Sequence, residues 1–211
     1  NKAPAALQIT GPASGITLLN LNIEKTGGKA IDVTSSENKD ITAVCVGNCR
    51  ISDSGGPGIN VLSPGAMIYT NHIQNTGLYY DSSIALKVIG ENSVTSNNLV
   101  EGCPYTAITG GGKNAVFSGN IVRDYMLKLD DGGAFYFFAG NNLTLAKNEV
   151  YGSSGRLAHA YYLDERSVDC VVEDNLAVNT PYCFQGHMAN NCIFRHNLVP
   201  SWDCNHPVPP I

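Results

Sequence analysis

The chain has 211 residues, 43% of them hydrophobic and 15% charged, with a formal net charge of -5. That composition is globular and long enough for one domain with a real core, residues 1–211. Acidity without a basic run excludes the electrostatic footing of a nucleic-acid binder. No stretch approaches the roughly 20 apolar residues of a membrane span, so no membrane partner is expected. The opening NKAPAALQITGPASG has neither an initiator Met nor an apolar signal segment, which reads as a processed or excised piece of a longer soluble protein.

In chain order, an Asn or polar residue followed by a short aliphatic run recurs at positions 22, 50, 72, 98, 120, 148, 175 and 197, with spacings of 28, 22, 26, 22, 28, 27 and 22. Between these markers stands a second motif of alternating character: AIDV ending at 33, GINV at 61, ALKV at 88, AITG at 110, AFYF at 137, AYYL at 163 and CFQG at 186. Such alternation, bounded by Gly, Asn, Ser and Asp, reads as short strands, and nowhere does a 3.6-residue apolar period persist. Short strands at a fixed spacing without helices predict an all-β chain, a parallel β-helix of about eight rungs, in which each turn lies about 4.8 Å above the last. Stacked Asn side chains at a tight corner then account for 22 Asn residues in the chain. The rod's open sheet edges suggest end-to-end or homo-oligomeric association, and the tail WDCNHPVPPI reads as a Pro-rich plug.

Seven cysteines are an odd number, so a monomer keeps at least one unpaired thiol. No pair has zinc spacing, so no metal and no cofactor is expected. Cys170 and Cys192 precede their Asn markers by the same five residues and read as stacked small hydrophobes.

Aligning the second motif rung by rung sends Ile31/Val33, Ile59/Val61, Leu86/Val88, Ile108, Phe135/Phe137, Tyr161/Leu163 and Phe184 inward. The column between them, Asp32, Asn60, Lys87, Thr109, Tyr136, Tyr162 and Gln185, faces out. Its last four members are uncharged, hydrogen-bonding and partly aromatic, a mixture suited to the faces and hydroxyls of a sugar. Asp164 then stacks directly under His187, with Glu165 beside it. Asp130 and Asp131 precede Gly132-Gly133, two glycines expected to bend the chain and fold Asp131 back over the groove. Hydrolysis of a glycosidic bond needs one carboxylic acid for the leaving oxygen and one carboxylate for water or for the sugar, and this patch offers four acids. Asp131, next to Asp130 and the Phe135/Phe137 pair, is the expected acid, and Asp164, paired with His187, the expected base or nucleophile.

The succession of ISDSG, DGGAFYFF, AYYLDERS and HMANNCIFRHNLV resembles the right-handed parallel β-helix proteins of the pectate-lyase-like superfamily. It is most similar to glycoside hydrolase family 141, whose members carry a GAFY segment after an Asp, then a Y-L-D-[DE] segment, then a His before an Asn-Asn turn; the likeness covers roughly residues 42–199. That resemblance implies a hydrolase of plant cell-wall polysaccharide, fucosidase- or xylanase-like, with Asp131 and Asp164 as the acidic pair and His187, Tyr136 and Tyr162 lining the site. Asp130, Glu165 and Gln185 complete the expected substrate contacts. The chain departs from the family in its doubled Asp before GGAFY and in its shortness. A polysaccharide lyase or epimerase, or a non-catalytic carbohydrate-binding solenoid, is the alternative. Glycan-processing β-helices work outside the cytoplasm, so a secreted, periplasmic or cell-surface location is expected.

Overall fold

Left-handed residues at one corner set the repeat. In the computed structural model, which describes residues 4–34, 41–153 and 155–200, Asn20, Asn48, Thr70, Asn97, Gly119, Lys147, Asp174 and His196 all have φ between 52° and 65°. Each turns the chain through the αL region, where Asn, Asp and Gly are the cheapest occupants. The residue after each of them enters the corner, and from Asn71 onward it is always Asn. Asn71, Asn98, Asn120, Asn148, Asn175 and Asn197 form a continuous ladder; from Asn98 on, each Oδ1 accepts both the main-chain and the side-chain N–H of the Asn one rung back, at 2.9–3.0 Å. The buried amides of the corner thereby find partners.

The ladder corrects the marker series. Asn22, Arg50 and His72 pair with one another and then with Leu99, not with Asn98. The true early members of the corner column are one residue earlier, at Leu21, Cys49 and Asn71, with the Cys49 N–H bonded to Asn71 Oδ1 at 3.0 Å. Polar residues at 22, 50 and 72 sit on the solvent face and only mimic the repeat.

Among the described residues all regular structure is strand. Three parallel sheets of eight, eight and seven strands wind about a common lumen, with a two-stranded pair beside them. One circuit runs through Leu86–Ile89, Val94–Ser96 and Leu99–Glu101 before returning to the first sheet at Ile108–Gly111. That first sheet carries the site, in its last three strands Gly132–Phe137, Ala158–Leu163 and Tyr182–Gly186.

The inward columns fall as expected: Ile31, Ile59, Leu86, Ile108, Phe135, Tyr161 and Phe184 are mutual register partners. Phe135, Tyr161 and Phe184 stack nearly parallel, 5.2 Å between successive centroids. Cys170 and Cys192 likewise precede register partners, Val171 and Ile193. Both are free thiols, as are Cys45, Cys49 and Cys103. The Pro-rich tail at 202–211 lies outside the described residues.

Strict alternation fails in one place. Ala134-Phe135 and Ala160-Tyr161 are consecutive residues that are all fully buried in the core, as are Ala30-Ile31, Ala85-Leu86 and Ala107-Ile108 in earlier rungs. A small residue before each large one lets the strand start with two lumen-facing positions. The residue before the small one, His159 in the penultimate strand, is thereby placed on the outer side with Tyr162.

Candidate active site

Tyr136, Tyr162 and Gln185 are register partners on the outer side of the first sheet. Tyr162 stays outside the lumen cluster that holds Tyr161, yet it is only 7% exposed, because neighbouring rings cover it. Its ring meets Tyr136 edge-on at 5.1 Å and lies tilted against His159 at 4.5 Å. The Tyr182 ring also lies tilted against His159, at 4.9 Å.

Asp164 follows the Ala158–Leu163 strand, anchored by its own N–H to Phe137 O at 2.8 Å. The Tyr136 hydroxyl donates to its Oδ2 at 2.6 Å, and His187 Nδ1 meets its Oδ1 at 2.9 Å. Stacking on the next rung thus brings Asp164 and His187 together as the alignment requires. Burial by itself would raise the Asp164 carboxyl, but the donors Tyr136, His187, the Glu165 N–H and the Tyr162 hydroxyl outweigh it and hold the group below the usual carboxylate range. The tyrosines respond in the opposite sense. Burial and then the Asp164 charge push the Tyr136 and Tyr162 hydroxyls well above an ordinary phenol, which keeps them protonated as donors.

Asp131 is reached differently from the sequence expectation. Gly132 and Gly133 do not bend the chain; they lie inside the strand, paired with Ala158 and His159. Their smallness serves close approach instead, since a Cβ on Gly132 would lie 2.7 Å from Thr106 Oγ1 and one on Gly133 2.8 Å from the His159 carbonyl oxygen. The turn is at Asp131 itself, with φ 62°. Seven residue steps at about 3.3 Å each separate Asp131 from Phe138, which lies level with Asp164, so the Asp131 and Asp164 backbones are up to about 23 Å apart. Asp131 is also exposed, away from the lumen that buries Phe135 and Phe137, so the desolvation expected of it is absent. The two carboxylates nevertheless share neighbours: both charges act on Tyr105, His159 and Tyr162. They bound opposite ends of one aromatic surface.

Asp130 is engaged in holding a loop, its Oδ1 accepting the Leu157 N–H at 3.0 Å. The Glu165 charge acts on Tyr162, while its carbonyl accepts the Ala139 N–H.

Sequence reasoning missed Tyr105, His159 and Tyr182 as members of this site. Tyr105 donates its hydroxyl to the Asp131 carbonyl at 2.9 Å, and His159 Nδ1 meets the Gly132 carbonyl at 3.1 Å. Burial lowers the His159 pKa, against the smaller raising effects of that hydrogen bond and of Asp131 and Asp164. The signal that finds His159 and Tyr182 is the small-then-large pair, Ala160-Tyr161 and Cys183-Phe184, which fixes the side taken by the residue just before it.

Among the described residues no cluster of three His, Cys, Asp or Glu side chains has the geometry of a metal site. No curated protein and no solved structure matches the chain. The family described as right handed beta helix region matches it over residues 5–155 and 79–201. With that match spanning most of the sequence and three parallel sheets wound in register beneath it, the chain belongs to the right-handed β-helix family.

Proposed function

We propose that the chain is a glycoside hydrolase acting on plant cell-wall polysaccharide outside the cytoplasm, fucosidase- or xylanase-like in its bond. The family's fold is shared by pectate lyases and glycoside hydrolases, and the DGGAFY, YLDE and HMANN segments favour the hydrolases. The observation that carries the reading is Asp164, held ionised by Tyr136 and His187 on an outward aromatic surface. A fixed negative charge of this kind stabilises the oxocarbenium character of glycosyl transfer, while the rings of Tyr136 and Tyr162 suit the apolar face of a sugar. Asp131, across the same surface, supplies the proton to the leaving oxygen. Inverting pairs work at about 6.5–9.5 Å between carboxyl groups, so the acid role of Asp131 requires its carboxyl to come that close to the Asp164 end of the surface.

The test is incubation with arabinoxylan, xyloglucan and fucosylated pectic oligosaccharides. New reducing ends without ultraviolet absorbance, lost in Asp164→Asn, are expected. An unsaturated, ultraviolet-absorbing product assigns the site to β-elimination instead, and tight glycan binding with no turnover assigns it to a binding solenoid.

A further inference from the structure

Asp164 is crowded with donors. Tyr136 occupies Oδ2 and His187 occupies Oδ1, and the Tyr162 hydroxyl and the Glu165 N–H face the same group. A carboxylate has about four lone-pair sites, and both oxygens of this one already accept a short hydrogen bond that competes with a substrate or a water. The Asp164 side chain is 13% exposed, that of His187 47%. Such a carboxylate holds charge and orientation well and takes up a proton poorly.

His187 stands where that proton is to be taken. An ionised Asp164 only accepts, so the ring nitrogen facing it, Nδ1, carries the hydrogen; in the neutral imidazole Nε2 is then an unprotonated acceptor on a half-exposed ring. The main chain adds a second constraint, the His187 N–H bonding the Leu163 carbonyl at 2.9 Å. We infer that His187 Nε2, rather than Asp164, is the proton acceptor of this site, and that Asp164 is a positioning residue that sets the His187 tautomer and stabilises the imidazolium. For its reaction this rests on the hydrolase reading; for its geometry it does not.

The step balances. Nε2 takes a proton from a water whose oxygen bonds to the anomeric carbon, as the bond from that carbon to the leaving oxygen breaks. The leaving oxygen takes its proton from Asp131. The imidazolium then releases its proton to solvent and Asp131 regains one, so each turnover consumes one water.

Two measurements decide the matter. Nitrogen-15 NMR of the unliganded wild-type protein at mildly alkaline pH reads the tautomer without any substrate. A hydrogen on Nδ1 and a bare Nε2 are expected, with the preference lost in D164N; a hydrogen on Nε2 in the wild type overturns the inference. With a hydrolysed glycan, H187A is expected to lose about 10²- to 10⁴-fold in kcat with little change in KM, and to recover part of it on addition of imidazole. H187Q keeps a polar side chain and serves if H187A fails to fold. Activity within tenfold of wild type in both His187 variants, or rescue of D164A by azide or formate without imidazole rescue of H187A, makes Asp164 the acceptor and overturns the inference. If no glycan is hydrolysed yet the Nδ1 tautomer is found, the hydrolase reading fails and the dyad stands.

Discussion

Tyr136 and Asp164 are joined at 2.6 Å across adjacent strands, hydroxyl to carboxylate. A hydrogen bond to a charged group contributes about 1.5–3 kcal/mol, so Tyr136→Phe, at a carboxylate whose side chain is 13% exposed, is expected to cost about 2 kcal/mol of stability at neutral pH. The pH dependence carries a sign. Because the folded Asp164 pKa is depressed, the stabilisation is complete above the unfolded carboxyl value near ~4 and fades as pH falls through the lower folded value. The deficit of the variant relative to wild type should therefore shrink in acid. Urea midpoints across a pH series measure it, and a deficit constant with pH contradicts the assignment.

A second expectation concerns the Asn corner. Asn120 accepts two N–H groups from Asn98 and donates to Thr95 O and to Asn148 Oδ1. Asn120→Ala strands several buried polar groups at about 1–3 kcal/mol each, for a total of about 3 kcal/mol or more. Asn114 belongs to a parallel but exposed ladder with Asn92 and Asn142, where water replaces the lost bonds. Glycine tolerates its φ of 63°, so Asn114→Gly should cost under about 1 kcal/mol. Denaturant unfolding of both variants compares them; equal losses would mean that burial does not set the worth of these ladders.

The pairing of Asp164 with His187 and the outward position of Tyr136 and Tyr162 were legible because a parallel solenoid turns sequence period into spatial neighbourhood. Two residues at equivalent positions of successive rungs must touch. That logic fails at corners, where the loop before each first-sheet strand varies in length: Tyr105 comes from such a loop and Asp131 ends another. It also fails where side chains do not alternate. Ala134 and Ala160 read as outward by a period of two, yet both lie in the core, and His159 thereby changes sides. The Asn markers slipped by one residue at 22, 50 and 72 for a related reason. Asn22 and His72 are polar enough to pass for corner residues, whereas Cys49 and Leu21, which stand in the true column, are not.

His159 gives a third expectation. It is buried between Tyr162 and Tyr182, and burial depresses its pKa below the ordinary imidazole value. The unfolded chain therefore binds a proton near pH ~6.5 that the folded protein refuses until lower pH. Stability should fall on acidification from about pH 6.5 down to the folded value, by at most about 1.4 kcal/mol per pH unit from this group. His159→Phe keeps the ring stack and removes the titration, so its stability should change less between neutral and mildly acidic pH. An unaltered slope in denaturation experiments would place the acid sensitivity elsewhere.

Asn substitutions at the two carboxylates should separate structure from chemistry. Asp131 gives its main-chain carbonyl, not its carboxylate, to Tyr105 and sits exposed at φ 62°. Asn tolerates that αL backbone as well as Asp does, so Asp131→Asn should alter stability by less than about 0.5 kcal/mol. Any loss of glycan turnover in that variant then reports on the proton it supplies. Asp164→Asn differs in kind. The amide has one accepting oxygen where the carboxylate has two, and its NH₂ would face either the Tyr136 hydroxyl or His187 Nδ1, both of which now donate. One donor is left unsatisfied or turned around, at about 1–3 kcal/mol, so this variant should lose stability together with turnover. Thermal denaturation paired with a reducing-sugar assay checks both. A destabilised Asp131→Asn, or an Asp164→Asn as stable as wild type, would reverse the roles of the two ends of the aromatic surface.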